Sequence, residues 1–130
     1  MAYHCRGIAW SAKKDYDKAI ADYNEAIRLN PESVLSYHNR AWLWATCPDA
    51  KYRDGKKAIE HAKKAIQKQP FVEPETKYYI PLAAAYAEAG EFGEAVRYQE
   101  KVLADSDYRD DKEMRVRLEL YKKKQPYRQP

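Results

Sequence analysis

The chain has 130 residues, enough for one domain with its own hydrophobic core. Its net charge of +4 and pI near 8.9 permit acidic partners without requiring them. No apolar run approaches the roughly 20 residues that cross a bilayer, and the N-terminus lacks the apolar stretch of a signal peptide. The two cysteines do not have the spacing of a disulfide scaffold. A cytoplasmic location is expected, and the aromatic pattern that follows Met1 directly is compatible with a piece of a longer protein.

The first 30 residues predict two helices that form an antiparallel hairpin. Tyr3, Gly7 and Trp10 recur at spacings of three and four, as on one face of a helix. Asp15 is a suitable N-cap for a second amphipathic helix, and Pro31 ends that helix.

The same pattern then returns twice. In the first helix of the next unit, Tyr3, Gly7 and Trp10 recur 34 residues later as Tyr37, Ala41 and Trp44. In the second helix the offset is 39, as from Ala19 to Ala58, so the turn between these helices contains an insertion. Stacked helical hairpins are therefore predicted, with units at 1–33, 34–72 (inserted loop near 46–55) and 75–107.

The end of the chain predicts a helix that covers the last hairpin. Residues 110–124 are amphipathic and are expected to shield the apolar end of the stack, with Met114, Leu118 and Tyr121 on one face. Residues 125–130 are expected to fray or to lean on the last hairpin. Pro81 falls near the start of the third unit's first helix, where a bend or a 3₁₀-like first turn is expected.

These recurring positions resemble the tetratricopeptide repeat over roughly residues 1–107. The matching residues are small at Gly7, Ala41 and Ala83, aromatic at Trp10, Trp44 and Tyr86, alanine at Ala19, Ala58 and Ala95, and proline at Pro31 and Pro70. Departures are Ala62 and Gln99 in place of aromatic residues, and Asp107 in place of a closing proline. The resemblance implies an all-α fold, a right-handed superhelical stack of antiparallel helix hairpins.

The resemblance also implies a concave groove, lined by the first helix of each hairpin, that binds a peptide or protein segment. An extended or helical segment with a hydrophobic anchor would suit its apolar and aromatic character. The groove positions carried over to this chain are His4, Ile8, Ser11, Leu35, His38, Asn39, Trp42, Thr46, Lys77, Ile80 and Ala84. The helix that begins at Val34 thus divides into two faces, with Trp42 in the groove and Trp44 in the core.

Some members of the family hold a partner's C-terminal carboxylate with lysines, asparagines and an arginine spread over three repeats. Asn39 and Lys77 match that set, whereas His4, Ile8 and Pro81 occupy other places in it. Capture of a chaperone tail is therefore not expected.

No catalytic, metal or cofactor site is predicted. His4 and His38 lack a chelating partner in their own helices, and His61 is expected to be solvated on a lysine-rich outer helix. The acidic residues fit helix capping, and no phosphate loop or nucleophile motif occurs. The alternatives to a protein-binding module are self-association through the uncovered N-terminal hairpin and, with less support, nucleic-acid binding through the lysine-rich faces.

Overall fold

The computed structural model describes residues 2–69 and 75–130, and these residues contain helices and no strands. The α-helices in chain order are α1 (Ala2–Ala12), α2 (Tyr16–Leu29), α3 (Val34–Thr46), α4 (Gly55–Gln67), α5 (Tyr79–Glu88), α6 (Phe92–Ala104) and α7 (Lys112–Lys122). Short 3₁₀ turns occupy Ala50–Tyr52 and Thr76–Tyr78. The all-α prediction is confirmed, while Pro70 lies outside the described residues. Within the described part, no helix combines the length and apolar character needed to span a bilayer.

Helices adjacent in sequence pack in pairs, and α3 lies in the middle of the stack. The pairs are α1 with α2, α3 with α4, and α5 with α6, and α7 packs on α6. Helix α3 also contacts α1, α2 and α5. Because α3 belongs to one hairpin and touches both others, its faces decide how the hairpins stack.

The predicted helix starts are confirmed. The Asp15 carboxylate accepts a hydrogen bond from the Lys18 N–H at 3.4 Å, and the Asp54 carboxylate accepts one from the Lys57 N–H at 3.1 Å. Pro81 is the third residue of α5, directly after the Thr76–Tyr78 turn, as expected. In the first turn of a helix the missing N–H of proline costs no hydrogen bond.

Small residues allow the helices of the stack to approach closely. A Cβ atom on Gly7 would lie 2.6 Å from Cε1 of Tyr23, a ring that is itself buried between α1 and α2. Ala41 and Ala83 have no exposed surface. At Gly7 even a methyl group has no room, and at Ala41 and Ala83 the methyl group is fully buried. Residue size at these positions therefore limits the helix spacing.

Gln99 stands where the repeat pattern has an aromatic residue, and its amide fastens α6 to α7. It has no exposed surface, and its Nε2 donates a hydrogen bond to the Met114 carbonyl at 2.9 Å. A buried amide needs such a partner, because an unpaired polar group in the interior is costly. The departure from the pattern therefore coincides with the docking of the C-terminal helix.

The prediction that His61 is solvated is wrong. His61 shares a face of α4 with Ala58 and Ala65, at spacings of three and four, and this face packs on α3. Its ring meets Trp44 edge-on with centroids 4.8 Å apart, and Nη2 of Arg40 lies 2.8 Å from Nδ1. Burial, reinforced by the positive charge of Arg40, lowers the pKa of His61 to about 4.

The Gly7→Ala substitution should destabilise the stack although alanine is the better helix former. The clash with the Tyr23 ring is expected to cost about 1–3 kcal/mol. Gly93→Ala is the matched control, because a Cβ atom at Gly93 meets nothing within 4 Å; it should instead stabilise by about 0.5–1 kcal/mol. Urea unfolding measures both, and equal effects in the two variants would contradict the close approach of α1 and α2.

The buried His61 should make stability depend on pH in mildly acidic solution. Its pKa in the folded state is about 4, below the ordinary value of 6.5, so the unfolded chain binds more protons in this window. The contribution of neutral His61 is complete above pH 6.5 and falls by about 3 kcal/mol as the pH drops to 4. Denaturant unfolding of wild type and His61→Gln from pH 7 to 4 measures this difference. Parallel curves for the two proteins would show that the imidazole titrates freely.

Candidate functional site

Two adjoining cavities lie along the first helices of the hairpins. The larger, of about 320 Å³, is lined by His38, Asn39, Trp42, Lys77, Ile80, Pro81, Met114 and Arg117. The smaller, of about 270 Å³, is lined by Ile8, Ser11, Ala12, Tyr23, Asn39, Trp42, Leu43 and Gln129. Asn39 and Trp42 belong to both, so the two cavities form one continuous surface across α3, called the groove below.

The structure brings most of the predicted groove positions together. Ile8, Ser11, His38, Asn39, Trp42, Lys77 and Ile80 line one or both cavities. Leu35 is exposed at the start of α3 but lines neither cavity. The side chain of His4 lies outside the part of the chain that the structure describes.

Thr46 and Ala84 do not lie on open groove surface, which corrects their assignment as groove contacts. Ala84 is 1% exposed and belongs to a cluster of small residues, with Ala45, against which Trp42 packs. Thr46 has no exposed surface, and its hydroxyl donates to the Trp42 carbonyl at 2.7 Å. Both positions are covered by other parts of the chain, which periodicity within one helix does not reveal.

Helix α7 supplies one wall of the larger cavity, a role beyond its predicted function as a cover for the last hairpin. Met114 and Arg117 face the cavity from this helix. Met114, Arg117 and Tyr121 follow one another at spacings of three and four residues, which places all three on one face. That spacing is visible in the sequence, but an arginine next to an apolar stripe is more typical of a charged outer surface than of a cavity wall.

Arg117 is the most buried charged residue of the groove, with 5% of its surface exposed. Its guanidinium lies 4.9 Å from the ring centroid of Trp42 and 4.3 Å from that of Tyr127. Nη2 donates to the Glu113 carboxylate at 3.0 Å, while Nε has no hydrogen-bond partner among the described residues. Arg117 therefore joins α7 to α3 by stacking on the Trp42 ring, while its ion pair with Glu113 lies within α7.

Residues 125–130 contact the last hairpin, one of the two alternatives expected, since Nη1 of Arg128 lies 2.7 Å from the Glu88 carboxylate. They also run back to α3, which was not expected. The Gln129 N–H donates to the Thr46 carbonyl at 2.9 Å, and its side-chain amide donates to the Thr46 hydroxyl at 3.1 Å. The last carbonyls of a helix have no hydrogen-bond partner within that helix. The carbonyl at the end of α3 is therefore available to accept a hydrogen bond from residues 125–130. The ring of Tyr127 lies 5.7 Å from that of Trp42.

The charged residues that line the groove, Lys77 and Arg117, are both cationic. Lys77 is half-exposed, with its Nζ 3.5 Å from the Glu75 carboxylate. Below the groove, Tyr121 is buried, and burial raises the pKa of its hydroxyl above the ordinary value. No group of three or more histidine, cysteine or acidic residues able to hold a metal occurs in residues 2–69 and 75–130. This arrangement suits binding by contact, with aromatic and apolar surface flanked by polar groups.

The lysines of α4 lie over aromatic rings of the stack. Nζ of Lys57 is 5.7 Å from the ring centroid of Trp44, and Nζ of Lys63 is 5.7 Å from that of Tyr86. Lys68 contacts Glu32 across the hairpin boundary at 3.1 Å. These lysines thus contact aromatic rings and a carboxylate of the chain itself.

Comparison with known proteins places this fold in a family. The model of the tetratricopeptide repeat matches residues 1–33. The TPR2B domain of yeast Sti1, solved as a complex with pHsp70, superposes with a TM-score of 0.74 at 23% identity, over 95% of this chain and 96% of that one. The chain belongs to the tetratricopeptide repeat family. The N-terminal domain of C. elegans STI-1 shares the fold, with a TM-score of 0.64 at 21% identity over 93% of this chain and 92% of that one.

Curated relatives of this tetratricopeptide repeat chain are much longer proteins. Serine/threonine-protein phosphatase 5 of Homo sapiens is 35% identical over 104 residues, which are 78% of this chain and 19% of that protein. The Hsp70-Hsp90 organising protein of Plasmodium falciparum is 28% identical over 125 residues, 92% of this chain and 21% of that protein. The chain thus spans about a fifth of the length of the relatives it matches.

Proposed function

We propose that this tetratricopeptide repeat chain is a non-catalytic protein-interaction module, and that its groove binds an extended segment of a partner protein. The observation that carries the proposal is the position of Trp42. Its half-buried ring lies at the junction of the two cavities, beside the apolar Ile80 and Pro81. A large aromatic ring in such a place is a typical anchor for a partner's side chain.

Polar groups at the edge of the larger cavity would orient the bound segment. Asn39 and Lys77, from different hairpins, line this same cavity. An amide and an ammonium group together suit an acidic side chain or a terminal carboxylate. The yeast Sti1 domain was solved in complex with pHsp70. In this chain, Ile8 and Pro81 depart from the carboxylate-binding pattern of such relatives. We therefore assign most of the binding specificity of this groove to the apolar anchor.

The proposal includes the absence of catalysis by this chain and a cytoplasmic location. The groove presents aromatic, aliphatic, amide and cationic groups, and its Ser11 hydroxyl and His38 imidazole line different cavities rather than forming a nucleophile–base pair. Cys5 and Cys47 are both free thiols, as is usual in a reducing compartment.

Site-specific photo-crosslinking in the source cells tests the proposal even when the partner is unidentified. A photoreactive phenylalanine analogue at Ile80, inside the groove, should give a discrete adduct with another protein. The same analogue at Leu29, which is exposed on α2 and outside both cavities, is the matched control. Trp42→Ala in the Ile80 protein should reduce the adduct about tenfold or more, as loss of an aromatic hot spot does.

The folded state of the Trp42→Ala protein must be checked by thermal unfolding, because that ring also packs against Ala45. A cooperative transition well above the crosslinking temperature assigns the lost adduct to binding. Adducts that form equally from Leu29 and Ile80, or that persist in folded Trp42→Ala, would overturn the groove as the binding surface.

A further inference from the structure

We propose that residues 125–130, Gln-Pro-Tyr-Arg-Gln-Pro, are an intramolecular ligand of the groove, which a partner of similar chemistry must displace. This inference rests on the proposed function, because it treats the groove as a binding surface. It specifies that residues 125–130 occupy the groove. It also specifies the chemistry of a competing partner, which is an extended, proline-flanked segment with an aromatic residue followed by a basic one.

The segment contacts α7, the helix that precedes it, and also reaches the end of α3 at the groove. Its backbone hydrogen bond goes to the Thr46 carbonyl at the end of α3, 83 positions earlier in the chain than Gln129. Gln129 also lines the smaller cavity, together with Asn39 and Trp42. The segment therefore occupies part of the surface that a partner would use.

The aromatic contact is made with the proposed anchor itself. Tyr127 lies beside Trp42, with the Arg117 guanidinium within 5 Å of both ring centroids. The Tyr127 hydroxyl reaches the Glu113 carboxylate at 3.2 Å. A partner's aromatic side chain at this point would gain the same two contacts, and it cannot do so while Tyr127 is in place.

The basic contact satisfies a carboxylate that the fold places unfavourably. Glu88 is the last residue of α5, where the helix dipole disfavours negative charge. Its carboxylate lies 2.7 Å from Nη1 of Arg128 and 3.6 Å from Nε of Arg53. The contact with Arg128 is an ion pair rather than a directional hydrogen bond, so a lysine or arginine of a partner could replace it.

The segment is built for reversible docking. Residues 125–130 form no helix or strand, and Tyr127, Arg128 and Gln129 remain partly exposed. Pro126 and Pro130 restrict the backbone before docking, which lowers the entropy lost on binding. The larger cavity, with His38, Asn39 and Lys77, stays open beside the docked segment, so a partner can bind there first and then compete for Trp42.

Amide hydrogen exchange of the full chain tests the docking directly. The Gln129 N–H should be protected in wild type and should exchange at the rate of an unstructured peptide in Tyr127→Ala and in Arg128→Glu. Tyr127→Phe keeps the ring, and Gln125→Ala changes an exposed side chain of the same segment; both should retain protection. An unprotected Gln129 in wild type would overturn the proposal. So would protection that rises with protein concentration, because the groove would then hold the segment of a second copy.

Binding of a labelled nonapeptide with the sequence of residues 122–130 tests the competition. Fluorescence polarisation should show about tenfold tighter binding to the Arg128→Glu protein than to wild type, as when docking leaves about a tenth of the grooves open. Adding Trp42→Ala to the Arg128→Glu protein should abolish this binding. Equal affinity for wild type and Arg128→Glu would overturn the proposal.

The two proposals fail in different ways. If Gln129 is protected but a photoreactive group at Ile80 captures no other protein even in the Arg128→Glu protein, the segment is a structural cover and the proposed function falls. If Ile80 captures a partner and Gln129 is unprotected, the groove binds partners without an internal competitor.

Discussion

The rest of the structure depends on the close approach of helices at positions where only a small residue fits. Gly7 abuts the ring of Tyr23, and Ala41 and Ala83 have no exposed surface. With the helix backbones this close, large side chains are excluded from the contact lines and project to either side. That spacing creates both the interior between hairpins and the groove along their first helices.

Helix α3 shows this division most clearly, because it meets both neighbouring hairpins. One face carries Tyr37 and Trp44 towards α4, where His61 contacts both rings. Another face carries Asn39 and Trp42 into the groove. Neighbouring residues of this one helix therefore contribute to folding stability on one face and to the proposed binding on another. The effect of a substitution in α3 can be interpreted only if the face that carries the residue is known.

The C-terminal residues couple the fold to the proposed binding surface. Gln99 fastens α7 by its hydrogen bond to the Met114 carbonyl, and α7 in turn presents Arg117 to Trp42. The segment after α7 then reaches the end of α3 through Gln129. The element that covers the apolar end of the stack thus also forms one wall of the groove and supplies its internal ligand.

Local and repeating features were predictable from the sequence, and features set by distant contacts were not. The helices, the caps at Asp15 and Asp54 and the tight turn before Pro81 follow from periodicity and backbone chemistry within a few residues. The repeats also brought Asn39, Trp42 and Lys77 to one cavity, although helices of two hairpins supply them.

The burial of His61, Thr46 and Ala84 was missed. It depends on which chain segment packs above each residue, and no periodicity within a helix contains that information. The contact of residues 125–130 with α3 was missed for the same reason. Their partner, Thr46, is distant in sequence. The contact uses the backbone carbonyl of Thr46 at the end of α3, and no residue type in the sequence marks such an acceptor.

The central claim is that α3 turns Trp42 to the groove and Trp44 to the core. Nuclear Overhauser contacts from the two indole rings test it most directly. The Trp42 ring should show cross-peaks to the ring of Tyr127, whose centroid is 5.7 Å away, and the Trp44 ring should show them to the ring of His61, at 4.8 Å. Cross-peaks from Trp42 to His61, or from Trp44 to Tyr127, would contradict this division of the helix.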